Sequence, residues 1–129
     1  MEEERKNLAR LFLKEFKGIA THGRGIDIVN RRKNLESLAE LGLTRRNCVD
    51  EILNLSATDY CGGPEPDTDR PGEIWEFGKT ILGKQVYIKL KIAQAGNEKL
   101  AKCISFHIAE FPLCFPFKGG SNEERGKIS

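Results

Sequence analysis

The sequence has no run of about 18 apolar residues, the length that a membrane-spanning helix needs. Its opening Met1-Glu-Glu-Glu-Arg-Lys is too acidic for a secretory leader, so a cytoplasmic protein with no membrane partner is expected. The four cysteines, Cys48, Cys61, Cys103 and Cys114, show no C-x-x-C spacing, which argues against a zinc site or a disulfide framework and for reduced thiols. Asn54-Leu-Ser56 matches a glycosylation acceptor, an idle match without export. Internal repeats are missing, and so is an excess of either charge: the formal net charge is +2. Net charge therefore gives no pointer to nucleic acid; only its distribution can. Basic residues gather at Arg31-Arg32-Lys33, at Arg45-Arg46 and from Lys84 to Lys102, and each cluster by itself is an ordinary solvated surface. Asp67, Asp69 and Glu73 share one stretch, but without a glycine-spaced loop and a bidentate glutamate they make a poor cation signature. Neither a metal nor another cofactor is expected.

What is present is 129 residues, 39% apolar and 31% charged, a balance that suits one soluble domain with a single core. Leu8, Leu11, Phe12, Phe16 and Ile19 recur at helical spacing and predict an amphipathic helix from about Glu2 to Ile19. Thr21 to Gly25 ends it, and Ile26, Ile28 and Val29 suit a short strand. Asn34 is the expected N-cap of a short helix with Leu35, Leu38 and Ala39 inward, closed by Gly42 with Leu43 against Leu38. Thr44 caps a further helix whose buried stripe is Cys48, Ile52 and Leu55, and Ser56 to Asp59 reads as a capping box. Cys61 to Gly72 is punctuated by glycine and proline and reads as a surface loop. Glu110 to Lys118, broken by Pro112 and Pro116, reads as an extended or edge segment, and residues 119–129 as a flexible tail.

Between these lie three alternating runs. From Val86 to Ile92 a period of two puts Val86, Ile88, Leu90 and Ile92 on one face and Tyr87, Lys89 and Lys91 on the other. From Leu100 to Ile108, Ile104, Phe106 and Ile108 alternate with Cys103, Ser105 and His107. A turn near Gly96 joins the two, with Tyr87 opposite Ser105 and Val86 opposite Phe106. The run Glu73 to Ile81 joins through a turn at Leu82-Gly83, which sets Phe77 against Ile88, Trp75 against Leu90 and Glu76 against Lys89. Helices followed by neighbouring antiparallel strands imply an α+β domain with the helices on one face of a small sheet.

The other face gathers Glu76, Tyr87, Lys89, Lys91, Ser105 and His107. A carboxylate, an imidazole and cations on one rigid surface suit acid-base cleavage of RNA: Glu76 as base for a 2'-hydroxyl, Lys89 and Lys91 for the phosphorane, His107 as acid. The same pattern equally describes a half-exposed sheet with a Glu76–Lys89 ion pair. Cleavage by a metal held on Asp67, Asp69 and Glu73 is a further alternative.

Leu41-Gly-Leu, Cys48 to Leu55, Ser56-Ala-Thr-Asp59-Tyr, Ile74-Trp75, Gly83 to Leu90 and Ile104-Ser-Phe106, in that order, resemble the MqsR family of bacterial toxins over about Arg32 to Lys118. The resemblance implies a RelE-like fold and a metal-independent mRNA endoribonuclease, an mRNA interferase acting on mRNA free or on the ribosome. It also implies neutralisation by a cognate antitoxin, often one with zinc-binding and helix-turn-helix domains. The family's tyrosine matches Tyr87, placed here as a substrate-positioning member of the catalytic set. The family's glutamine and lysine are Glu76 and His107 here, a pairing similar to the base and acid of the related YoeB toxins. A further family lysine has no counterpart at Cys61 or Gly62, which leaves phosphate contact to Lys89, Lys91, Lys79 or Arg70. A non-catalytic RNA-, ribosome- or antitoxin-binding module is the competing expectation.

Overall fold

The computed structural model describes residues 2–118; the expected tail lies outside the described residues. Helix α1 runs over Glu2–His22 with three glutamates in its first turn, where the helix dipole favours negative charge. Its buried stripe is Ala9, Leu13, Phe16 and Ala20, while Leu8 and Leu11 stay exposed. The stripe is therefore rotated from the expected one. The two alanines let the helix approach the sheet closely, and Phe12 stacks on Trp75 with ring centroids 5.2 Å apart.

Strand β1 is Ile26–Ile28, and α2 is Arg32–Leu41. Gly42 closes α2 in the left-handed region, and Leu43 N–H bonds back to Leu38 O at 2.9 Å. Asn34 is not its cap: the cap position is Arg31, and Asn34, 1% exposed, points inward with Ser37 and Leu41, whereas Leu35 and Ala39 are exposed. The cause is tertiary and lies on the neighbouring strand, as described below. Helix α3, Arg45–Leu53, opens with a reciprocal Thr44–Asn47 capping box and buries Cys48 and Ile52. A single 3-10 turn, Ala57–Asp59, follows from the Ser56–Asp59 box.

Four more strands complete the sheet: β2 (Tyr60–Pro66), β3 (Glu73–Ile81), β4 (Lys84–Ala95) and β5 (Glu98–Ile108). Their order is β1-β5-β4-β3-β2, with β1 parallel to β5 and the other pairs antiparallel. The fold is thus α+β, with α1 and α3 on one face of a mainly antiparallel sheet. Strand β2 lies where a loop was expected. Two irregularities in its pairing with β3 accommodate Gly62, Gly63 and Pro64 at the sheet edge, where proline and glycine are tolerated. Only Asp67 to Gly72 remains a loop, closed at its base by Asp67 N–H to Gly72 O at 3.0 Å.

The core lies between the sheet and α1 and α3. Phe16, Phe77, Ile88 and Phe106 are wholly buried there, each worth about 1.5–3 kcal/mol in area removed from water. The β3–β4 register is the expected one, with Trp75 opposite Leu90, Glu76 opposite Lys89 and Phe77 opposite Ile88. Leu82 and Gly83 both have positive φ, 52° and 81°, the geometry a two-residue hairpin turn requires.

The β4–β5 register differs from expectation in two steps. The two-residue turn at Gly96-Asn97, with Ala95 opposite Glu98, moves it by one residue, and Ile104, an extra residue, moves it by one more. Leu90 therefore pairs with Cys103 but Lys89 with Ser105, and Tyr87 with His107 rather than with Ser105. This bulge exchanges the faces. Ala101 and Cys103 face the core before it and Phe106 after it, so Cys103 is buried while Ile104 is only partly so. Asn34 holds the bulge. Its Nδ2 donates to Val29 O at 2.9 Å and Ile104 O at 3.1 Å, and its Oδ1 accepts from Phe106 N–H at 3.0 Å. Ser37 Oγ accepts from Ile108 N–H at 2.9 Å. Where β1 ends, α2 thus takes over the open edge of β5 through side chains, a cover that edge strands need. No helix among the described residues is long and apolar enough to cross a membrane.

Candidate functional site

Beyond the bulge, β5 turns Ser105 and His107 onto the face that β4 lines with Tyr87 and Lys89. Tyr87 pairs directly with His107, their rings 5.4 Å apart and tilted by 50°, and Lys89 pairs with Ser105. The segment from Ala109 to Lys118 crosses this face instead of adding a strand. Ala109 N–H bonds to Gln85 O at 2.9 Å, and Leu113 N–H to Gln85 Oε1 at 3.0 Å. Gly78, opposite Tyr87, makes room for it, since a side chain there would collide with Leu113 and Phe115. The result is a cavity of about 330 Å³ bounded by β4, β5, Arg31 and the segment from Ala109 to Leu113. That volume falls within the range of small-molecule sites.

Glu76 lies one strand further on. Its Oε2 accepts the Tyr87 hydroxyl proton at 2.5 Å, and its Oε1 is packed under Gly62, where any side chain would displace it. Glu76 and His107 are thus not in contact; Tyr87 stands between them. Burial, and then the bond to Glu76, push the Tyr87 phenol well above its ordinary range. His107 is 9% exposed, and its Nδ1 lies 3.0 Å from Ile108 O. A carbonyl only accepts, so Nδ1 is the donor and Nε2 is left to exchange a proton.

No family model, curated protein or solved structure matches the chain.

Two of the expected phosphate-binding cations are committed elsewhere. Lys79 is in register with Val86 on the helix side of the sheet and pairs with Glu51 at 3.0 Å, because alternation from Phe77 turns it away from Tyr87. Lys91 is on the right face, but its side chain is 4% exposed and bonds Asp67 Oδ2 at 2.6 Å. Asp67 in turn is held at about pKa 2 by Lys91 and by the Asp69 N–H. The other oxygen, Oδ1, accepts the N–H groups of Asp69 and Arg70 at 2.9 and 3.4 Å, so the loop is tied to Lys91 through this one carboxylate. Among the described residues no group of three or more His, Cys, Asp or Glu is arranged to hold a metal.

Lys89 lines the cavity with its Nζ 5.9 Å from the Tyr87 ring centre. Arg70 lines an adjoining cavity. Sequence reasoning missed Arg31, whose Nη1 donates to Ser105 Oγ at 3.2 Å across 74 residues of chain; only the basic run Arg31-Arg32-Lys33 hinted at it. The cysteines are free, and burial pushes the Cys48 and Cys61 thiols up to about 12, which makes both poor nucleophiles.

Proposed function

We propose that this protein is the toxin of a type II toxin–antitoxin pair, an mRNA endoribonuclease that works without a metal by attack of a ribose 2'-hydroxyl on the adjacent phosphate. The observation that carries the reading is the Tyr87–Glu76 hydrogen bond, with His107 on the other side of Tyr87 beside a cavity of fitting size. Tyr87 lines that cavity and Glu76 does not, so the base acts through the phenol. The 2'-hydroxyl proton passes to Tyr87 Oη as the phenolic proton passes to Glu76 Oε2. The 2'-oxygen bonds to phosphorus, the bond to the 5'-oxygen breaks, and that oxygen takes a proton from His107 Nε2. Lys89 supplies positive charge to the phosphorane. Each placed proton-transfer group is worth about 10²- to 10⁴-fold in rate.

The order of motifs from Leu41 to Phe106 supports the toxin assignment through its resemblance to the MqsR family. Its partners are then mRNA, free or on the ribosome, and an antitoxin that covers or flanks the Glu76–His107 face. The packing of Glu76 under Gly62 favours a second reading, a face that binds RNA, ribosome or antitoxin without cleaving. Expression without an antitoxin separates the two: growth arrest that disappears in soluble His107→Ala supports the nuclease, and arrest that persists in it rejects His107 as the acid.

A further inference from the structure

Two cavities share one wall on the polar face. The first, about 330 Å³, holds Tyr87 and His107; the second, about 580 Å³, has Val29, Ile74 and Ile104 among its lining and the loop from Asp67 at its rim. Arg31 and Lys89 line both. Ser105 lies between them: it is the cross-strand partner of Lys89, and its Oγ accepts from Arg31. Because Ser105 is only 2% exposed, this bond fixes the guanidinium against the sheet.

Three of the six cations lining these cavities are neutralised. Lys33 pairs with Glu110 at 2.9 Å, Lys91 with Asp67 at 2.6 Å and Lys102 with Asp27 at 3.9 Å. Among the described residues, Arg31, Lys89 and Arg70 have no such carboxylate partner, and of these three only Arg31 and Lys89 line both cavities. Two like charges flanking one hydroxyl repel each other unless an anion sits between them. Arg31 spends one N–H on Ser105 and keeps the rest of its planar fork, which matches two oxygens of a phosphate.

We propose that Arg31 and Lys89 clamp one phosphodiester of a single-stranded polynucleotide at this wall, so that one nucleotide lies in each cavity. The proposal rests on reading the His107 cavity as the cleavage site, and adds to it a second nucleotide subsite. The apolar residues Val29, Ile74 and Ile104 suit the flat face of a base. The second cavity's lining carries five cations against three carboxylates, Glu65, Asp67 and Asp69, and Asp67 is already paired with Lys91. A base must leave its stack to enter, which selects single strands over duplex.

Deoxyoligonucleotides separate binding from cleavage, because they lack the attacking hydroxyl. A labelled deoxytrinucleotide of mixed sequence, followed by fluorescence anisotropy over a salt series, should bind about tenfold tighter than a labelled deoxymononucleotide 5'-phosphate. Arg31→Ala should weaken trinucleotide binding about tenfold and lower the slope of log K against log salt by about 0.7, the loss of one phosphate contact to a single strand. Arg31→Lys should keep most of the slope and lose part of the affinity. Melting curves establish that the Arg31 variants are folded. Arg31→Ala matching the wild type in affinity and slope, a mononucleotide binding as tightly as the trinucleotide, or no binding by the wild type would each overturn the clamp. RNA cleavage by an Arg31→Ala protein of unchanged affinity leaves the nuclease reading standing; Arg31-dependent binding with no RNA cleavage by the wild type removes that reading and keeps the clamp.

Discussion

Tyr87 donates its hydroxyl proton to Glu76 Oε2 at 2.5 Å while its ring lies 5.4 Å from that of His107. One side chain on the middle strand thus links a carboxylate on β3 to an imidazole on β5. Tyr87→Phe removes the link and keeps the ring. The single-turnover cleavage rate should fall by about 10²- to 10³-fold, with stability lowered by only about 1 kcal/mol. An unchanged rate would take Tyr87 out of the proton path.

Lysines of opposite faces should behave oppositely. Lys89→Ala should lower cleavage by at least about tenfold through loss of phosphorane stabilisation. Lys79→Ala should leave it unchanged, because Lys79 sits on the helix side with Glu51. Equal losses in steady-state cleavage assays would contradict the placement of the site on the Tyr87 face.

Asn34 is the residue on which the β5 bulge depends. Asn34→Leu leaves Ile104 O and Phe106 N–H without partners, at about 1–3 kcal/mol for each unsatisfied buried group. Urea unfolding should show a loss of roughly 3 kcal/mol in total. A loss below about 1 kcal/mol would mean that the bulge holds itself.

The same bulge marks where the sequence stops being readable. The β3–β4 register was legible because the Leu82-Gly83 turn and strict alternation specify one pairing. On β5 the alternation runs unbroken through Ile104, and nothing local says that this residue is extra; the only trace is that Cys103 and Phe106, both buried, are three apart. Asparagine favours caps, which is what the sequence predicts for Asn34; its bonds to Ile104 O and Phe106 N–H, about 70 residues away, exist only in the folded chain. Strand β2 was hidden by glycine and proline, which an edge strand tolerates. Arg31 reached the site through tertiary structure alone, whereas Tyr87, Lys89, Ser105 and His107 were placed on one face by period-two spacing.

The Asp67–Lys91 pair sets a pH window. Asp67 lies at about 2 when folded against an ordinary 3.8. A lowered carboxylate contributes fully above its unfolded value and loses that contribution as pH falls through the folded one. Wild-type stability should therefore decline from about pH 4 toward 2 more steeply than that of Asp67→Asn. Urea midpoints across that range check it; parallel curves would mean that the pair contributes nothing to folding.

The central claim is that the ribose hydroxyl is the nucleophile. An RNA oligonucleotide of known cleavage site, synthesised with one 2'-deoxy sugar on the 5' side of the cut, tests it in the presence of chelator. The all-ribose control should give a 2',3'-cyclic phosphate and a 5'-hydroxyl, while the substituted strand binds with the same affinity and stays whole. Cleavage of the substituted strand at that position would contradict the mechanism, because a water molecule would then have to be the attacking group.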